Sequence, residues 1–136
     1  MARMIFVNLP VRDLPKAKAF YEAIGAMNNP QFTDDTAACM VFSDTINVML
    51  LTHPKWSSFT TKPIPNAHQT NEIMLALSCD SRNDVNMMAG SAGKNGGIAD
   101  VNPPQDYGFM FNRSFADPDG HIWEAVWMDP NGMPAG

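Results

Sequence analysis

The stretch Asp13-Leu14-Pro15-Lys16-Ala17-Lys18-Ala19-Phe20-Tyr21-Glu22-Ala23-Ile24-Gly25 carries apolar residues at Ala17, Phe20, Tyr21 and Ile24. This is the i, i+3, i+4, i+7 spacing that lines one face of an α-helix. Asp13 is placed to cap its start, Pro15 fits the first turn and Gly25 is placed to end it. A second stretch, Ser81 to Gly93, repeats the pattern with Val85, Met88, Ala89 and Ala92, each 68 residues beyond its counterpart. Ser81 is the N-cap there, and Asp84 stands where a capping box would put Glu or Gln. The end glycines, Gly25 and Gly93, keep the same offset. Before each helix lies a run that favours a strand, Met4 to Val11 and Glu72 to Cys79. After each come three short strands, expected at 27–33, 36–43 and 46–52, then at 98–102, 108–115 and 121–128. Asp34-Asp35, Asp44-Thr45, the stretch 103–107 and Asp117-Pro118-Asp119-Gly120 supply the turns.

The order βαβββ therefore occurs twice, which predicts an α+β protein of tandem modules whose curled mixed sheets surround a central cavity. The modules are expected at 1–52 and 72–128 in a single domain. Between them 53–71 reads as a linker or lid loop with Trp56 and Phe59, and 129–136 as a mobile tail.

Composition narrows the function classes. At 136 residues the chain is one ordinary domain, and 45% hydrophobic with 17% charged residues is a globular composition. Nine basic against fourteen acidic residues leave a formal charge of -5 with no basic cluster, which argues against a nucleic-acid partner. No stretch reaches transmembrane length and the first residues do not read as a secretion signal, so a cytoplasmic protein is expected, with no membrane partner. Cys39 and Cys79 sit in apolar runs and read as reduced core residues. The eleven Met residues are adaptable filler for cores and for pockets that take varied apolar ligands.

Leu9-Pro10-Val11-Arg12-Asp13-Leu14 with Ala17 and Phe20-Tyr21, and Asp117-Pro118-Asp119-Gly120-His121-Ile122-Trp123-Glu124 near the end, resemble motifs of the vicinal oxygen chelate superfamily. That superfamily includes glyoxalase I, bleomycin-resistance proteins, fosfomycin-resistance enzymes and extradiol dioxygenases. The resemblance covers nearly the whole chain and implies the paired βαβββ fold and a homodimer. It also implies four metal-ligand slots, on the first and last strand of each module, which fall at Phe6, Leu50, Met74 and Glu124.

Phe and Leu have no lone pair to offer and a Met thioether prefers soft ions, so a cofactor is not expected at the usual site. Alternation places Asn8 on the face of Phe6, and Glu72 on that of Met74. A shifted divalent-metal site from Glu124, Glu72 and His121 or His68 is the alternative. Glu124 is the candidate catalytic acid or base, or the partner of a cationic ligand, against the simpler reading of a carboxylate turned to water. Arg113 is a candidate for an anionic substrate group, or half of an ordinary ion pair. Trp56 and Phe59 are candidates to close over an aromatic or planar ligand, against the simpler reading that they cover the core or a dimer contact, and Tyr107 is a candidate to line the mouth of the cavity.

Two functions follow. The first is a small-molecule-binding protein of the bleomycin-resistance type, with Phe6, Asn8, Leu50, Met74, Trp56, Tyr107 and Arg113 around a partly apolar ligand. The alternative is a metal-dependent lyase, isomerase or dioxygenase that uses Glu124 with shifted ligands. A pure interaction domain is the third class, and it predicts no stabilisation by small molecules.

Overall fold

Ala17, Phe20 and Tyr21 are fully buried, as the apolar stripe demands, on a helix α1 that spans Leu14–Ala23. The computed structural model describes residues 2–132, and the end of the tail, 133–136, lies outside the described residues. The chain divides into two units, 1–66 and 67–136.

In the first unit, strands β1 (Ile5–Val11), β2 (Met27–Asn29), β3 (Ala37–Val41) and β4 (Ile46–Thr52) form one sheet in the order β1-β4-β3-β2. β1 and β4 are parallel and the other pairs antiparallel. The Asp13 carboxylate caps α1 by accepting from the Lys16 N–H at 3.1 Å. Gly25 turns the chain out of the helix at φ 114°, a conformation that side chains with a Cβ rarely adopt. α1 packs on β2, β3 and β4. Its Tyr21 ring meets Phe42 edge-on at 6.4 Å, which identifies the helix-covered face of the sheet. Met40, Ala38, Val48, Leu50, Leu9 and Val11 share that face and are all buried.

The second unit repeats the plan with β5 (Met74–Ser78), α3 (Arg82–Lys94), β6 (Ile98–Ala99), β7 (Gln105–Asp106), β8 (Met110–Ala116) and β9 (Ile122–Met128). The sheet order is β5-β9-β8-β6, with β7 also on β8, and β5 runs parallel to β9. The Ser81 hydroxyl caps α3 by accepting from the Asp84 N–H. Val85, Ala89 and Ala92 are its buried stripe, packed on the sheet that carries Phe115, Trp123 and Ala125. The architecture is α+β, two open mixed sheets each with a helix, as expected.

Local departures have local causes. Gly93 lies inside α3, and the helix runs on until Gly96 turns it at φ 97°. The expected strand 27–33 ends at Asn29, because Pro30 has no N–H and the Asn29 side chain caps a 3₁₀ turn at the Gln31 N–H. The strand at 98–102 stops at Ala99, where Asp100 takes φ 55°. Within the linker, α2 (His53–Ser57) forms under a Thr52 cap, and the turn 103–107 holds the short β7. β5 begins at Met74 and leaves Glu72 outside it.

Candidate functional site

Pairing register decides which side chains share a face, because neighbours along a strand point to opposite sides. On β9, Glu124 stands level with Ala76 of β5 and Ser114 of β8. Met74, Ile122, Val126, Asn112 and Met110 lie on that same face. The opposite face belongs to α3, as Arg113 shows by donating to Asn86 of that helix at 3.1 Å. Glu124 therefore projects from the helix-free face of the second sheet.

Glu124 is half-buried, and among the described residues its carboxylate makes no hydrogen bond and no ion pair. The nearest cross-strand hydroxyl is committed elsewhere, since Ser114 Oγ donates to the Asn102 carbonyl and accepts from the Asn102 N–H. Asn112, two residues before Ser114, is 8% exposed and donates to Gln105 Oε1 at 3.3 Å across the β7–β8 pair. Apolar surface surrounds these groups, with Met74 55% exposed at the start of β5.

The first sheet has an equivalent face. Phe6 and Asn8 of β1 are exposed on it, and Asn47 and Met49 of β4 stand level with them. Leu50 does not belong there. It stands level with Leu9, is fully buried and points to the side of α1, so the expected slot at Leu50 is corrected to Met49. The internal repeat supports the correction: Asn8 corresponds to Ala76 at the offset of 68, and the strand partners of these two are Met49 and Glu124.

One of the remaining candidates, Arg113, separates from the face of Glu124. Arg113 lies on the side of α3, where Nε and Nη2 donate to the two Asp100 carboxylate oxygens at 3.0 and 2.8 Å. The hydrogen bonds from Arg113 hold the Asp100 carboxyl below its usual range and raise the guanidinium in turn. It is half of an ion pair, and the expectation of an anion-binding Arg113 is withdrawn. Trp56 is half-buried on α2, and Tyr107 is exposed beyond β7, its ring 6.5 Å from that of Phe109.

His121 belongs to the turn before β9, where Asp117 Oδ1 accepts its N–H at 2.9 Å along with that of Asp119. Among the described residues no three His, Cys, Asp or Glu side chains come together in a way that holds a metal ion, so the proposed set of Glu124, Glu72 and His121 is not assembled. The implied divalent metal does not fit the slots either. Phe6 and Met49 bring no nitrogen or oxygen donor, and Met74 with Glu124 brings one carboxylate.

Asn112, which the sequence reading passed over in favour of Arg113, is a polar side chain that shares the face of Glu124 with Ser114. Strand alternation alone could have found it, since 112, 114 and 116 alternate with 113 and 115 and only the odd positions face α3.

No protein-family model matches the chain, and no curated protein matches it in sequence. Solved structures do. A hypothetical protein from S. aureus is similar at 24% identity over 93% of this chain and 95% of its own, with a TM-score of 0.77. A glyoxalase/bleomycin resistance protein/dioxygenase family enzyme from Burkholderia phytofirmans PsJN is similar at 14% identity, covering 93% and 99% of the two chains with a TM-score of 0.75. A fosfomycin resistance protein, FosX, from Mesorhizobium loti is similar at 19% identity over 96% and 93%, with a TM-score of 0.65. At such identities the likeness is one of fold. No helix among the described residues is long and apolar enough to cross a membrane.

Proposed function

We propose that this chain, which has the fold of the vicinal oxygen chelate proteins, is a small-molecule-binding protein whose ligand carries an apolar body and a cationic group. The cation is held by Glu124, and the body lies over Met74, Ile122 and Val126 on the helix-free face of the second sheet. The observation that carries this reading is Glu124 itself, a half-buried carboxylate among apolar neighbours with no partner of its own. An acid in such surroundings gains most from a ligand that brings the missing positive charge.

The metal-dependent alternative, a lyase, isomerase or dioxygenase, has no comparable support, because the donors it needs are not gathered. The test is an NMR titration with benzylammonium and its neutral counterpart benzyl alcohol. Benzylammonium is expected to bind about tenfold tighter, a difference of about 1.4 kcal/mol, with shifts centred on β5 and β9. Glu124→Gln is expected to abolish that difference. Equal binding of the two probes, or shifts confined to other elements, would sink the proposal.

A further inference from the structure

Beyond Glu124, the helix-free face of the second sheet carries a second acceptor. Asn112 commits its amide nitrogen to Gln105 Oε1 at 3.3 Å, and among the described residues its Oδ1 accepts no hydrogen bond. No fully buried side-chain oxygen or nitrogen among the described residues lacks a partner, so this oxygen keeps some exposure although the residue as a whole is 8% exposed. With the nitrogen bonded to Gln105, the oxygen is the end of the Asn112 amide left for a further partner.

Asn112 and Glu124 are diagonal neighbours across the β8–β9 pair, through Ser114 level with Glu124 and Val126 level with Asn112. Diagonal neighbours lie about 7–8 Å apart at the backbone, within reach of one planar group held between long side chains. The nearby hydroxyl, Ser114 Oγ, is already used by Asn102, and the nearby guanidinium, Arg113, is on the other face. The outward-facing groups are thus a carboxylate and an amide oxygen, an acceptor pair.

We infer that this face selects a planar amidinium or guanidinium group over a simple ammonium, with Glu124 taking the charge and Asn112 accepting an outer N–H. The inference rests on the cation-binding reading above and deepens it to a ligand class. A planar fork of N–H donors matches a carboxylate with two parallel bonds and still has N–H groups turned outward to a second acceptor, whereas an ammonium spreads its three donors tetrahedrally. Asn112 is then the residue that sets specificity.

The probes are benzamidine and benzylammonium, titrated into the full chain by NMR. Benzamidine is expected to bind about tenfold tighter to the natural protein. Asn112→Leu is expected to cut that preference at least about threefold while leaving benzylammonium binding within about twofold. Gln105→Ala, at an exposed position, frees the amide to rotate and is expected to narrow the preference too. It serves as the reporter should Asn112→Leu fail to fold. Equal binding of the two probes to the natural protein overturns this inference and leaves the cation site standing. An undiminished preference in the reporting variant overturns it as well. Binding of neither probe overturns both readings.

Discussion

Gly120 closes the turn that delivers the chain into β9, and adding a single methyl there is expected to be among the more damaging small changes available to the second unit. Its φ is 93°, and a Cβ at that position would lie 2.7 Å from both the Ala67 carbonyl carbon and the His68 nitrogen, and 2.9 Å from the Ala67 oxygen. All three are backbone atoms, which cannot swing aside as the end of a side chain would. Gly25 isolates one of the two penalties, because its φ is 114° and a Cβ there would meet nothing within 4 Å. Gly25→Ala therefore carries backbone strain alone, about 1–2 kcal/mol. Gly120→Ala adds overpacking of about 1–3 kcal/mol, for a total of roughly 2–5 kcal/mol. In a chain of this size 1 kcal/mol moves the melting temperature by about 4 °C, so losses of roughly 4–8 °C and 8–20 °C are expected. Gly90→Ala supplies the opposite sign: it is inside α3, has ordinary φ and open space, and should gain about 0.5–1 kcal/mol. Urea and thermal unfolding followed by circular dichroism, with unchanged m-values, read all three. Should Gly120→Ala prove no worse than Gly25→Ala, the close approach of 67–68 to the turn would not be a constraint, and the reasoning fails.

Two further outcomes test the register and the charges. Leu50→Asn is expected to cost about 2–5 kcal/mol, because it places an amide in the fully buried layer under α1, while Met49→Asn on the other face should cost less than half as much. Similar costs in urea unfolding would return Leu50 to the helix-free face. Asp106 should titrate near 2 instead of 3.8, since Arg82 donates to both its oxygens at 2.8 and 2.9 Å and the Gly108 N–H adds a third bond. A depressed carboxyl favours the folded state above about 3.8 and loses that contribution as pH falls toward 2. Carboxyl-carbon NMR checks this, with Arg82→Met raising the midpoint but leaving it short of 3.8 because the Gly108 bond remains. A midpoint unmoved by Arg82→Met would refute the assignment.

The fold was legible because its two strongest signals are local and repeat. The stripes of α1 and α3, the caps at Asp13 and Ser81 and the strand before each helix all follow from residues within a few positions of each other. The offset of 68 holds from Phe6 and Met74 through the helix starts. It fails afterwards, since α3 spans thirteen residues against ten for α1 and the segment 100–109 turns at Asp100 and adds β7 before the last two strands. By the last strand of each module the offset is 75, as Met49 and Glu124 show.

That slippage is why the site was less legible than the fold. Side chains alternate with a period of two, so an error of one residue moves a slot from the helix-free face to the core, which is what separates Met49 from Leu50. Apolar content gave no warning on β4, where Val48, Leu50 and Leu51 are buried and Met49 is half-buried, so both faces read alike. On β8 the same ambiguity favoured Arg113, the more chemically conspicuous residue, over Asn112. Long-range partners decide between them: Asp100 and Asn86 claim Arg113 on one side of the sheet, while Gln105 turns the Asn112 amide on the other. A charge already satisfied within the protein has little to offer a ligand, and the groups left with capacity on that face, Glu124 and the oxygen of Asn112, are both acceptors. The proposal that this face recognises a donor-rich cation rests on those two groups, and the probes that vary charge and N–H geometry separately are the ones that bear on it.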